Sequence, residues 1–311
     1  MGLLKLIYAW FHMIRLPILF LCSFGAIVGA LNCSVFLNVE LSSFQILLIL
    51  LGSAFLSTGT MFHNDITDLE SDKVNRPNKP VPAGKLREKT VFYTGLLLMV
   101  SSIIIALFIN YKDYGTINWN LGAHTFILVL VGLYYNYYGK HHGIFGHMAV
   151  AFGVGSIPYW GGLAAFPNEL TLLLPLAVAI FFQEIGREIM VCAGDYIGDL
   201  KAGFKTLPVK LGRKRSMQIA VLFYIIFIPI FTLSVYDWTG LGTPKIFGSL
   251  YLIGGVLLAI SLLSTWLLTY VVVVKTDDEK KIWNAFERYE RTGTRVMIIV
   301  FQIFIFLEVF Y

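Results

Sequence analysis

Charged residues are scarce in this sequence of 311 residues, because Asp, Glu, Lys and Arg make up only 14% of it. An ordinary soluble domain has about 25%. Apolar and aromatic residues make up 57%, and the mean hydropathy is +0.73. This composition excludes intrinsic disorder, and it leaves too little polar surface for a soluble enzyme of this size. It therefore indicates a polytopic membrane protein.

Cysteine is also rare. The three cysteines, Cys22, Cys33 and Cys192, show no CxxC spacing, so the sequence offers neither a disulfide framework nor a zinc site of the usual spacing. The net charge of +5 is modest, and no basic cluster lies on a soluble domain. We therefore expect no nucleic-acid partner.

Long apolar runs, by contrast, are plentiful. A membrane-spanning helix needs roughly 17–25 mainly apolar residues, and nine segments have that character. They lie at about 16–36, 44–62, 90–110, 121–138, 144–166, 170–193, 216–236, 246–274 and 292–310. The sequence therefore predicts an all-α fold with nine transmembrane helices.

The basic residues are distributed unevenly between the two sides of these segments. The N-terminal stretch and the loops after the second, fourth, sixth and eighth segments hold 20 of the 24 Lys and Arg residues. The other side holds only Lys112 and Lys245. The positive-inside rule therefore predicts a multi-pass protein with a cytoplasmic N-terminus, cytoplasmic loops on that side, and an external C-terminus.

Two acidic sets follow the second and sixth segments. Asn64, Asp68 and Asp72 are spaced i, i+4 and i+8, and Asp195 and Asp199 are spaced i and i+4. If the segments continue as helix, each set lines one helix face, where like charges repel each other. Such oxygen ligands suit Mg²⁺ bound through carboxylates and substrate phosphate oxygens. The alternative is a solvated polar cap at each helix end.

Basic residues and prolines follow the acidic sets. The candidates to bind a diphosphate are Arg76, Lys79, Lys140 and Lys201. Bound metal ions with basic neighbours would neutralise such a group, although the positive-inside rule alone also accounts for basic loops here. The prolines that begin at Pro77 predict that a helix from the first set ends near Asn75.

The two acidic sets are also spaced alike, because 131 residues separate Asn64 from Asp195 and Asp68 from Asp199. This suggests that the chain contains two similar halves. The predicted organisation is a single transmembrane catalytic domain over 1–311, with four-helix halves at about 14–140 and 144–274 and a ninth helix at 292–310.

The residues around both acidic sets resemble the two signatures of the UbiA prenyltransferase superfamily. The motifs are Asn64-Asp65-x-x-Asp68-x-x-x-Asp72-x-x-Asn75-Arg76-Pro77-x-Lys79-Pro80-x-Pro82-x-Gly84 and Asp195-x-x-Gly198-Asp199-x-x-Ala202-Gly203-x-x-Thr206-Leu207-Pro208-x-x-Leu211-Gly212. Arg15 and Pro17 resemble the family's N-terminal element. The resemblance implies a nine-helix bundle around a central cavity, with both signatures facing each other at its cytoplasmic end.

The resemblance also implies roles for these residues. Two Mg²⁺ ions would bind a polyprenyl diphosphate, and the aspartates among their ligands would be catalytic. The implied metal ligands are Asn64, Asp68, Asp72, Asp195 and Asp199. The candidates to contact the acceptor are Arg15, Asp65 and Arg187, although Arg187 could instead form an internal salt bridge with Glu184. The sequence departs from many relatives at Val191, Cys192 and Gly194, where they carry a Lys-Asp pair and a further acid.

The reaction implied by the resemblance is transfer of a polyprenyl group to a small acceptor within membrane lipid, with release of diphosphate. The acceptor is either an aromatic quinone or pigment precursor or a glycerol-phosphate lipid such as geranylgeranylglyceryl phosphate. The alternative class is a transporter or ion-coupled carrier that uses the acidic sets as an ion site. That class predicts acids near the bilayer midplane, whereas these acids lie at one membrane face. His141, His142 and His147 fit a turn better than a metal site.

Overall fold

The computed structural model describes residues 2–168, 171–233 and 248–310, and in these ranges the chain forms fifteen α-helices and no strand. The helices are α1 (Leu3–Ile14), α2 (Leu16–Leu37), α3 (Ser43–Thr67), α4 (Leu69–Asn75), α5 (Glu88–Phe108), α6 (Tyr111–Tyr114), α7 (Trp119–Tyr137), α8 (Ile144–Ala165), α9 (Leu174–Gly194), α10 (Tyr196–Lys201), α11 (Leu207–Leu211), α12 (Arg213–Leu233), α13 (Ser249–Lys275), α14 (Glu279–Ala285) and α15 (Thr294–Glu308). A 3₁₀ turn covers Gly139–His141, and a π-helical segment covers Phe286–Gly293.

Each of the nine predicted segments coincides with a long helix of the described ranges. Six helices are long and apolar enough to cross a membrane, namely α2, α3, α5 together with α6, α8, α12 and α13. Of the other three, α9 carries Glu184, Arg187 and Glu188, and α15 has 15 residues. The protein is therefore an all-helical integral membrane protein with six candidate spans, and the count of nine stays a prediction.

Parts of three predicted segments, at 170, 234–236 and 246–247, lie outside the described residues, as does Lys245. The prediction of two four-helix halves is not decided by the helix bounds and also stays a prediction.

Helix α8 packs closely on its two neighbours through glycines. A Cβ atom added to Gly161 would overlap the carbonyl oxygen of Ala26 in α2, and one added to Gly29 of α2 would overlap that of Pro158. Gly155 meets the backbone of α9 in the same way, at 2.7 Å. Small residues let membrane helices approach closely. These contacts fix α2 and α9 on either side of α8, and α9 leads directly into the second acidic set.

The chain bends at one aspartate of each acidic set. Helix α3 ends before Asp68, whose φ and ψ are −87° and 3°, and α4 begins directly after it. Helix α9 likewise ends before Asp195, at −82° and 3°. Asp68 and Asp195 therefore occupy similar positions, each between a long helix and a short one. Helix α4 ends at Asn75, as the prolines predicted.

The close approach of α8 to α2 generates a stability prediction. We expect Gly161→Ala to lower the thermal unfolding midpoint of the purified protein in detergent, because the added methyl group meets rigid backbone. Overpacking of this kind costs about 1–3 kcal/mol. Gly153→Ala, on the same helix with nothing within 4 Å of its Cβ position, is the matched control.

The control should be neutral or stabilising, because alanine has a higher helix propensity than glycine by about 1 kcal/mol. Equal midpoints for the two variants would contradict the close packing of α2 on α8.

Candidate active site

A cavity of about 640 Å³ lies among α2, α3, α7, α8, α9 and α15. Its wall is apolar where the middles of these helices line it, with Leu56, Leu128, Val154, Ile157 and Trp160. Its other end is charged, because the ends of α3 and α9 and the loops beyond them place acidic and basic side chains there. A space with one apolar end and one charged end suits a ligand that carries an anionic head on a hydrocarbon tail.

The first acidic set is held by basic side chains from three parts of the chain. Lys79 donates to Asp65 Oδ1 at 2.9 Å and also to Asp72, and both of these carboxylates are buried. Asp65 also pairs with Arg15, which links α1 to α2 with a left-handed φ of 52°. Few residues other than glycine adopt that backbone conformation. The ion pair and this turn together carry the Arg15 side chain to the cavity.

Asp68 lies at the bend between α3 and α4 and is half-buried. Its ion-pair partner is Lys140, a buried side chain from the 3₁₀ turn after α7. The Asn64 amide, one helical turn earlier, lies 3.3 Å from Asn136 Oδ1. Asn136 in turn donates to the Thr60 carbonyl at 3.0 Å. The end of α7 is thus tied to the first acidic set.

The second acidic set faces the first across the cavity. Arg76 donates to both carboxylate oxygens of Asp195, at 2.8 and 3.0 Å, and lies 3.3 Å from Asp72. Arg291, from the π-helical segment, donates to Asp195 at 2.6 Å. Asp199 accepts from Ser71 of α4 at 3.0 Å. A single guanidinium therefore bridges the two acidic sets.

The helices α4 and α10 carry this bridge and touch through a glycine. A Cβ atom on Gly198 would collide with the side chain of Asn75 and with the Ser71 hydroxyl. The Asn75 amide fills that space and donates to the Asp195 carbonyl at 3.1 Å. The glycine and asparagine of the two motifs thus have a direct physical role, since they let the acidic helix ends meet.

Acidic and basic groups nearly balance in number at this end of the cavity. Five aspartates, Asp65, Asp68, Asp72, Asp195 and Asp199, together with Glu287, meet five cations, Arg15, Arg76, Lys79, Lys140 and Arg291. Within the described part of the chain, Asp199 forms no ion pair and instead accepts hydrogen bonds from the hydroxyl groups of Ser71 and Thr206.

The two carboxyls of the second set have opposite pKa shifts. Burial acts to raise the pKa of Asp195, but the guanidinium groups of Arg291 and Arg76 outweigh it and lower the pKa to about 2. Burial, and then the charge of Asp195, raise the pKa of Asp199 to about 7. Asp199 is therefore the carboxyl in this set whose charge is least compensated.

A second group of charges lines the cavity on α9 and α15. Arg187 donates from Nε to Glu184 at 2.6 Å, so the predicted internal salt bridge is present, and the pair still faces the cavity. The Tyr135 hydroxyl donates to Glu188 at 2.8 Å. Arg295 lines the same wall, and within the described ranges no ion pair engages it.

The structure brings all the predicted site residues to this cavity except Lys201, the remaining candidate for a diphosphate contact. Lys201 is exposed at the end of α10 and does not line the cavity. It follows Asp199 by two residues, which is about 200° around a helix. The helix that turns Asp199 inward therefore turns Lys201 outward.

Sequence reasoning missed Arg291, whose charge was counted only toward the positive-inside rule. The sequence does hold a signal for Arg291. Glu287, Arg291 and Arg295 are spaced four residues apart, so they place three charged side chains on one side of a helical segment that leads into an apolar helix. Charged residues at such a position deserve a functional hypothesis.

The donor set at the charged end suits Mg²⁺. Asn64, Asp68 and Asp72 offer carboxylate and amide oxygens from one helix end, and Asp195 and Asp199 offer carboxylates from the opposing one. Magnesium binds through a few carboxylates together with phosphate oxygens and water. All five side chains line the same cavity, so the residues present fit the ion.

Comparison with known proteins agrees with this geometry. The sequence matches the UbiA prenyltransferase family over residues 18–292. The digeranylgeranylglyceryl phosphate synthase of Pyrococcus horikoshii is 32% identical over 221 residues, which is 71% of this chain and 76% of that protein.

Two solved structures share the fold over nearly the whole chain. A UbiA homologue from Aeropyrum pernix K1 has a TM-score of 0.70 at 15% identity, covering 93% of this chain and 96% of that one. A UbiA homologue from Archaeoglobus fulgidus, bound to DMAPP and Mg²⁺, has a TM-score of 0.60 at 16% identity, covering 94% and 98%.

The Asp195 ion pairs generate the second prediction. We expect Arg291→Met to destabilise the ligand-free protein by about 1–3 kcal/mol, because a partly buried carboxylate loses a charged hydrogen-bond donor. In Asp195→Asn the need for that donor disappears, so the double variant should lose less stability than the sum of the single variants. Unfolding midpoints in detergent measure both effects.

Arg288→Met is the matched control, since Arg288 is exposed in the same π-helical segment. Additive losses for Arg291 and Asp195, or an equal loss in the control, would refute the coupling.

Proposed function

This chain belongs to the UbiA prenyltransferase family, and we propose that its reaction is the transfer of a geranylgeranyl group to geranylgeranylglyceryl phosphate within the membrane. The protein is a membrane prenyltransferase, and what we propose is the identity of its prenyl donor and of its acceptor. The observation that carries it is the similarity to digeranylgeranylglyceryl phosphate synthase over 71% of the chain. Family membership also favours an enzyme over the carrier alternative.

We assign the charged end of the cavity to the donor diphosphate. Asn64, Asp68, Asp72, Asp195 and Asp199 would hold two Mg²⁺ ions, and Arg76, Lys79, Lys140 and Arg291 would contact the phosphate oxygens. Bound Mg²⁺ would stabilise the negative charge that gathers on the leaving diphosphate. The Mg²⁺ and DMAPP of the Archaeoglobus fulgidus homologue support a divalent ion here.

The basic side chains would change partners when the donor binds. Each of the four now pairs with a carboxylate, and a diphosphate offers them oxygens that carry more charge. Their charge is then directed at the leaving group as the allylic carbon–oxygen bond breaks, which is where electrostatic stabilisation has its effect. Asp65 forms ion pairs with both Arg15 and Lys79. These pairs suit it to orient the two cations, and they make it a poor general base.

The apolar part of the cavity would hold the prenyl chain. Leu128, Val154, Ile157 and Trp160 line it, and they exclude water from the allylic cation that forms as diphosphate leaves. The acceptor hydroxyl would attack that carbon and form the new carbon–oxygen bond, and its proton would pass to the released diphosphate. The Tyr135 ring also lines the cavity.

We assign the acceptor's phosphate to the basic groups beside α9 and α15. Arg15, Asp65 and Arg187 were the candidates from the sequence, and all three line the cavity. Arg295 adds a cation that no carboxylate of the described residues neutralises through an ion pair. A glycerol-phosphate headgroup would supply the missing negative charge. An aromatic precursor remains the second candidate, and we retain the predicted cytoplasmic orientation of the charged end.

The proposed reaction can be tested directly with the purified protein in lipid. We expect diphosphate release from geranylgeranyl diphosphate when geranylgeranylglyceryl phosphate and Mg²⁺ are present, and no release with EDTA. The product should contain both chains by mass spectrometry. Parallel reactions should contain 4-hydroxybenzoate, dihydroxynaphthoate or homogentisate.

Transfer to an aromatic acceptor alone would overturn the acceptor assignment but keep prenyl transfer. No release with any acceptor, from protein shown to be folded, would overturn the proposed reaction, and ion-flux measurements would then test the carrier alternative.

The metal-ligand assignment makes a separate prediction. Asp68→Asn and Asp199→Asn should each lower the rate of prenyl transfer by about 10²-fold or more, the scale on which a charged group that stabilises a leaving group acts. Both variants should still insert and fold. Asp199→Asn should keep its unfolding midpoint because Asp199 has hydroxyl partners, whereas Asp68→Asn leaves the buried Lys140 without its ion-pair partner and should lower it.

Asp277→Asn is the matched control, because Asp277 is exposed in the loop after α13. Normal transfer by both site variants would remove these residues from the metal site.

A further inference from the structure

Three side chains with different donor atoms meet beside the cavity, apart from the aspartates. His147 comes from the first turns of α8, and Glu188 and Cys192 lie one turn apart on α9. One ligand atom from each lies within 4.8 Å of the others, and all three side chains are buried. Such a mixture of imidazole, carboxylate and thiol is not needed for prenyl transfer by the residues assigned above.

The distances fit a small transition-metal ion. Cys192 Sγ lies 3.9 Å from His147 Nδ1 and 3.9 Å from Glu188 Oε1. In a tetrahedral site with Zn–S near 2.3 Å and Zn–N near 2.0–2.1 Å, ligand atoms are about 3.6 Å apart. The two separations that involve the Cys192 sulfur therefore exceed the tetrahedral value by only a few tenths of an ångström, and the third lies within 4.8 Å.

The surroundings supply an entry path and an orienting partner. Glu188 and Cys192 both line the large cavity, so an ion could arrive from it and keep one coordination position open toward it. The Tyr135 hydroxyl donates to Glu188 Oε1, which is the kind of outer hydrogen bond that orients a ligating carboxylate.

We propose that His147, Glu188 and Cys192 form a binding site for a thiophilic divalent ion of the Zn²⁺ class. A thiolate and an imidazole select such ions, whereas the aspartate sets nearby select Mg²⁺. On binding, the Cys192 sulfur releases its proton to water and forms the metal–sulfur bond. His147 would bind through Nδ1 and carry its proton on Nε2, so the 3.4 Å contact in which the Leu207 amide donates to Nε2 would be given up. The proposal is independent of the prenyl acceptor.

Cobalt tests this site by absorption, without any activity measurement. The purified full-length protein in detergent, with excess Mg²⁺ to occupy the aspartates, is titrated with Co²⁺. We expect one equivalent to produce a thiolate-to-cobalt charge-transfer band in the near ultraviolet, and Zn²⁺ to remove it. The band should be absent in Cys192→Ser, and His147→Gln should weaken Co²⁺ binding at least about tenfold.

Cys22→Ser is the matched control, because Cys22 is another thiol on the wall of the same cavity. It should keep the band, as should Asp68→Asn. Absence of the band in the unmodified protein, or a band that persists in Cys192→Ser, would overturn the proposal. Should Cys192→Ser fail to fold, normal Co²⁺ affinity in His147→Gln would overturn it equally.

Discussion

Mutual repulsion among five aspartates at one end of a cavity is the constraint on which the rest of this structure depends. Two helix ends can bring such a set together only if positive charge lies between them. Arg76 supplies it directly, because its guanidinium contacts both Asp72 and Asp195. Arg291 and Lys140 complete the compensation from other parts of the chain. The segments that carry these basic residues are therefore held in place by ion pairs with the aspartates whose charge they neutralise.

The helix ends explain how the aspartates come together without repelling one another along one continuous helix. The chain bends at Asp68 and at Asp195, so each acidic set is divided between a long helix and a short one. The short helices α4 and α10 then meet where Gly198 leaves room for Asn75. Elsewhere in the bundle, glycines let α8 pack closely against α2 on one side and against α9 on the other. Packing within the membrane and chemistry at its surface are thereby coupled through α9.

The features that the sequence predicted are those set by local spacing. The i, i+4 spacing of Asp195 and Asp199 predicted that both side chains face the same way, and both line the cavity. The prolines after Asn75 predicted the end of α4. Arg291 was missed because its partner Asp195 is 96 residues away, and no local pattern relates the two. Lys201 lies outside the cavity, which was not predicted because sequence spacing alone does not give the direction in which a helix turns its side chains. Three of the nine predicted segments, those of α7, α9 and α15, are not among the six candidate spans; α9 carries charged residues and α15 is short, and both features oppose membrane crossing by composition alone.

Charge balance also bears on the order in which ligands would enter the proposed donor site. The aspartates and Glu287 are already largely paired with five cations, so a metal ion arriving alone would compete with Lys140 for Asp68. A diphosphate arriving alone would draw the same cations away and leave carboxylates such as Asp195 facing its own negative charge. When ions and diphosphate arrive together, each takes the partner that the other releases, and the total charge of the cavity changes little. Under the proposed assignment, the charge compensation of the ligand-free protein would favour binding of the metal–diphosphate complex as a unit.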